Sequence, residues 1–138
     1  MLFERPDLDG KSLITPGRPD TWIVFHGKRH RIPSTMVFDA LFSNIEHLAS
    51  IEEVDEIALG PDLSEGACLI RETGTLAIYL LTGLPEGGVS RHFVPTYESL
   101  VDFSFDESKV VMLPKLVMDA LPLGRELTSA GDRAMRRL

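Results

Sequence analysis

Apolar and polar residues alternate along this chain in short bursts, closer to a strand period than to a helical one. Thr21-Trp22-Ile23-Val24-Phe25 is a β-branched and aromatic run, the composition that fits a pleated strand. His26-Gly27 follows as a two-residue turn and Lys28 to Ile32 as the returning strand, which predicts a β-hairpin. Gly27 supplies a positive φ at that turn, and histidine tolerates one better than most residues. Ala77 to Leu81 and Ser90 to Val94 restate the two strands, joined by a longer loop with Pro85, Gly87 and Gly88. Pro33 and Pro95 close the hairpins, because proline has no ladder donor. Ser34 and Thr96 come next as N-cap residues. They open short helices over 35–42 and 97–103 that turn Val37, Phe38 and Leu41, or Leu100 and Phe103, inward. Second helices are predicted over 51–59 and 116–121, with Gly60 and Gly124 placed to terminate them.

The two halves match residue by residue. Arg29-His30-Arg31-Ile32-Pro33-Ser34 returns as Arg91-His92-Phe93-Val94-Pro95-Thr96. Leu13-Ile14 aligns with Leu69-Ile70, Gly27 with Gly83, and Asp55-x-Ile57-x-Leu59-Gly60-x-x-Leu63 with Asp119-x-Leu121-x-Leu123-Gly124-x-x-Leu127. The spacing between matched residues grows from about 56 to about 62 to about 64, as two loop insertions in the second copy would make it. The expected fold is therefore α+β: two tandem related units, each a short strand plus β-hairpin followed by two short helices, packed around a shared core. Residues 1–11 form a lead-in, 12–63 the first unit, 64–66 a linker, 67–127 the second unit and 128–138 a loosely ordered basic tail.

With 138 residues, 43% of them hydrophobic and 25% charged, the chain has the composition of a globular protein. A net charge of −7 argues against a nucleic-acid partner, which requires clustered cations. The longest apolar run, Leu76 to Leu84, is far short of a membrane span, so no membrane partner is expected. A lone cysteine, Cys68, forms no intrachain disulfide and reads as a small buried hydrophobe. Met1 to Asp7 lacks the features of a secretory signal, so with Met1 as the native start the expected location is cytoplasmic.

Alternation along the returning strand puts His30 with Ile32, and His92 with Val94, on the core side, and Arg29 with Arg31, and Arg91 with Phe93, on the other. Histidines so placed are expected to be hydrogen-bonded in the interior. Arg29 and Arg91 either pair with Asp55 and Asp119, fixing each hairpin on its helix, or bind an anionic partner. Asp7-Leu8-Asp9-Gly10 begins like a calcium loop without the remaining ligands and reads as a turn. His26 and His30 are four apart, but on a hairpin, and no zinc pattern accompanies them. No cofactor or metal is expected, and no catalytic group.

The order strand, turn glycine, Lys28-Arg29-x-x-Ile32-Pro33-Ser34, Phe38, short helix, then Ala120-Leu121-Pro122-Leu123-Gly124-Arg125-Glu126-Leu127 resembles small tandem β-hairpin/helix repeats found in bacterial surface and secreted multidomain proteins, often beside cell-wall-acting enzymes. The carriers are Trp22 to Phe38 and Tyr79 to Leu127. The resemblance implies a non-catalytic binding or spacer role. The expected function is a non-enzymatic interaction module that binds a protein through hairpin and loop surfaces, with Arg29, His30, Arg31, Arg91, His92, Phe93 and Glu86 as candidate contacts. Carbohydrate is the second choice of partner, because a glycan site displays several aromatics and this chain has few. The alternative is a small acidic regulatory or immunity-type protein that inhibits a basic partner.

Overall fold

Backbone pairing builds each hairpin and then flanks it with an outer strand. The computed structural model describes residues 1–43, 48–84 and 88–136. In the first half β1 (Ser12–Ile14), β2 (Thr21–Phe25), β3 (Lys28–Arg31) and β4 (Leu48–Ser50) form a sheet of order β3-β2-β1-β4, with α1 (Thr35–Leu41) between β3 and β4 in the chain. In the second half β5 (Cys68–Glu72), β6 (Ile78–Leu84), β7 (Gly88–Val94), α2 (Tyr97–Asp102) and β8 (Val111–Leu113) give the order β7-β6-β5-β8, followed by α3 (Lys115–Ala120) and α4 (Ala130–Arg136). In each sheet the hairpin and first strand are antiparallel and the outer strand runs parallel to the first. The protein is thus α+β with two sheets of one topology. The outer strands β4 and β8 are additions to the sequence reading: each spans three residues, too few for alternation to register.

Local chemistry explains the hairpins and their caps. His26 and Gly27 adopt φ of 54° and 76°, both positive as a two-residue turn of the primed type requires. Ser34 accepts a hydrogen bond from the Val37 N–H at 3.3 Å and Thr96 one from the Ser99 N–H at 3.1 Å, opening α1 and α2. Pairing also corrects two alignments. Val24 faces Arg29 as Leu81 faces Arg91, so Gly83 corresponds to His26 and not to Gly27. Leu13 stands opposite Trp22 and Ile70 opposite Tyr79, so Leu13 corresponds to Ile70 and not to Leu69. The helix expected over 51–59 is a 3₁₀ turn at Glu52–Glu56, where the second copy, about two residues longer, fits the α-helix α3. Glu86 and the loop around Pro85 and Gly87 lie outside the described residues.

One apolar core crosses between the halves: Ile23, Phe25, Val37, Leu41, Phe42 and Leu63 pack with Leu69, Leu80, Leu100, Phe103, Phe105 and Leu127. The opposite face of the first sheet has its own core of Leu13, Val24, Val54 and Ile57 under Leu8 and Trp22. β2 is therefore buried on both faces, which accounts for its near-continuous apolar run. The halves also hold each other reciprocally. Ser64 follows the first unit and donates through Oγ to the Gly83 carbonyl at 2.7 Å, at the end of the second hairpin. His26, at the tip of the first hairpin, bonds through Nε2 to the Glu126 carbonyl at 2.9 Å, near the end of the second unit.

The segment from Thr128, expected to be loosely ordered, instead contains α4 and a buried polar cluster. Ser129 and Asp132 are almost fully enclosed. Ser129 Oγ donates to Asp102 at 2.6 Å and accepts the Asp132 N–H, while Ser99 Oγ donates to Asp132 at 2.9 Å. Arg133 pairs with Asp9 at 2.9 Å, and Asp9 in turn accepts the Gly27 N–H at 2.8 Å. The reading missed this because the basic residues that suggested a solvated tail are ion-paired: Arg133 to Asp9 and Arg136 to Asp132.

Candidate functional site

The repeated Arg-His pair is a docking device in both halves. Arg29 and Arg91 donate through Nε to the carbonyls of Ile57 and Leu121, each at 3.1 Å. Each guanidinium also lies over an aromatic ring, Arg29 over Trp22 at 4.2 Å and Arg91 over Tyr79 at 4.8 Å. The segment after each second helix is thereby laid along the hairpin edge, where Arg29 bridges to Leu59 and Arg91 to Leu123 in parallel. The expected ion pairs hold only in part. Asp55 is 3.9 Å from Arg29 and closer, at 2.7 Å, to Arg18. Asp119 pairs instead with Lys115 on its own helix.

The histidines follow their predicted face. His30 Nδ1 meets the Pro61 carbonyl at 2.8 Å, its Nε2 the Phe25 carbonyl at 3.1 Å, and its ring stacks on Phe25. His92 Nδ1 donates to the Arg125 carbonyl at 2.7 Å and its Nε2 takes the Ser90 hydroxyl at 2.9 Å, a tautomer assigned from its partners. Gly60 and Gly124 were expected to end helices. They serve another purpose, because a Cβ on either would stand 2.3 or 2.5 Å from the Cε1 of His30 or His92. Each histidine ring packs flat against a glycine backbone where no side chain fits.

Of the other candidate contacts, Arg31 is half-buried and tied to Asp62 at 2.9 Å, and Phe93 leans on Tyr79. Glu86 lies outside the described residues. Cys68 is half-buried, and burial pushes its thiol above the usual range. Among the described residues no three His, Cys, Asp or Glu side chains converge as metal ligands, and no helix is long and apolar enough to cross a membrane.

Where the two hairpins meet, the chain leaves a cleft of about 810 Å³, within the range of small-ligand sites. The turn His26-Gly27-Lys28, the strand start Gly88 to Ser90, and the loops at Pro61-Asp62 and Pro122 to Arg125 form its walls, with His30 and His92 among the lining. His26 stands 6.3 Å from His92, ring centre to ring centre. Burial is the main reason that His26 and His30 titrate below their usual value; the neighbouring carbonyls oppose it, and the positive charges of Arg125 at His26 and Lys28 at His30 add to it. Sequence reasoning had placed the candidate contacts on the Arg-His strands and at Glu86, and did not single out Lys28 and Arg125, which line the cleft. The signal was their position, one beside a turn and one beside a repeated glycine.

Set against protein-family models, curated proteins and solved structures, the chain matches none. The functional reading therefore rests on the cleft and the groups that line it.

Proposed function

We propose that this chain is a non-enzymatic interaction module that receives a segment of a protein partner in the cleft between its hairpins. The observation that carries this reading is the convergence of both hairpins and both connecting loops on one concavity, lined by Phe25, Leu63 and Val89 together with polar groups. A concave, mostly apolar site with a few polar groups is the common form of a recognition pocket. The repeated arginines and histidines are engaged by backbone carbonyls, so contact falls to the residues around them. Trp22 and Tyr79 lie under arginines, which supports a protein over a glycan.

A second reading is favoured by the exposed row Glu52, Glu53 and Glu56 on the 3₁₀ turn of an acidic chain: an inhibitor of a basic protein, bound by that face. Photo-crosslinking in cells separates the two. A crosslinker in place of Val89 is expected to capture a partner, and one in place of Glu53 is not. Capture from Glu53 alone, abolished by salt, would favour the inhibitor; capture from neither position would remove both.

A further inference from the structure

The charges in the cleft are unevenly spent. Among the described residues Lys11, Lys28 and Arg125 are the cationic side chains without an ion-pair or hydrogen-bond partner, and Lys28 and Arg125 line the same cleft. The acidic groups beside them are largely engaged. Asp62 holds Arg31, and Asp9 holds Arg133 and the Gly27 N–H. Among the described residues Glu4 is the remaining carboxylate of the lining. Among the described residues the wall thus carries two uncommitted positive charges against one negative, in a chain of net charge −7.

Resting on the reading of the cleft as the contact surface, we propose that it binds a singly charged carboxylate with an apolar body, as at the end of a peptide chain. Lys28 and Arg125 hold the anion, and Phe25, Leu63 and Val89 take the apolar part. A guanidinium fork matches the planar carboxylate. One negative charge neutralises the excess on the wall, whereas a doubly charged phosphate overshoots it against Glu4. Both nitrogens of His30 face backbone carbonyls and both nitrogens of His92 are bonded, so the two rings shape the floor and do not turn toward the ligand.

The test uses the full chain with N-acetylleucine, its amide, and inorganic phosphate, followed by calorimetry and by the ring signals of His26 and His92 in NMR spectra. The acid is expected to bind saturably and to move both ring signals, with the amide and phosphate weaker by at least about tenfold. K28Q/R125Q is expected to lose at least about tenfold in affinity for the acid with its thermal midpoint unchanged. Should the double variant fail to fold, R125Q alone, at an exposed position, decides. Equal binding of acid and amide, equal binding of phosphate, undiminished binding by the variant, or no binding at about 10 mM, weaker than any useful site, overturns the proposal. A partner captured through Val89 while N-acetylleucine fails would end the carboxylate assignment and leave the interaction reading standing.

Discussion

At the scale of single residues, the histidine-on-glycine contact makes a sharp demand. A methyl group at Gly60 or Gly124 has no room beside the ring of His30 or His92. Either the ring moves off its carbonyl partners or the loop lifts from the hairpin. G60A and G124A are each expected to cost about 1–3 kcal/mol of stability, in the range of overpacking, read from urea unfolding. A cost below about 0.5 kcal/mol, the usual scatter of surface substitutions, would mean that the rings are not held there. The histidines also set a pH dependence. His26 and His30 titrate below the usual 6.5 in the folded chain, chiefly because they are buried. The unfolded chain then binds more protons, so their contribution to stability is complete above about pH 6.5 and declines as pH falls toward the folded pKa. Unfolding midpoints are expected to drop between about pH 7.5 and 5.5, above the carboxylate range. H26N retains a side chain tolerant of the φ of 54° and is expected to flatten part of that drop; an unaltered slope would exonerate His26. The inward face of both histidines could be read from alternation with Ile32 and Val94. The role of the glycines could not, because a ring and a loop about 30 residues apart meet only in the folded chain.

Secondary-structure elements divide by the range of the forces that make them. Hairpins, closing prolines and N-caps were legible because each is specified within a few residues: turn chemistry at His26-Gly27, and hydroxyls at Ser34 and Thr96. The outer strands β4 and β8 were not, since each exists by pairing with a strand far earlier in the chain. α4 was hidden for a related reason, its anchors being Asp102, Ser99 and Asp9 in other parts of the sequence. Ser129 accepts the Asp132 N–H in the manner of an N-cap and donates to Asp102 as well. S129A is expected to lower stability by about 1–2 kcal/mol and to speed amide exchange across Ala130–Arg136 before the rest of the protein. Exchange that accelerates uniformly would show that α4 opens only with global unfolding.

For the molecule as a whole, duplication was legible and its geometry was not. The hexads and the drifting spacing pointed to two like units, but not to the cleft that their meeting leaves, nor to the cations spared from ion pairs on its rim. The apolar core draws on both halves without a seam, and each unit reaches across at its closing segment, through Ser64 to Gly83 and through Glu126 to His26. The covalent join between them is by contrast exposed at Glu65 and Gly66, and a Cβ at Gly66 would meet nothing. Cleavage there should therefore be tolerated. Co-expressed pieces 1–65 and 66–138 are expected to copurify as a 1:1 pair with native circular dichroism, while either piece made alone stays unfolded. Such a pair would behave as a split reporter, regaining its fold only when the two pieces are brought together.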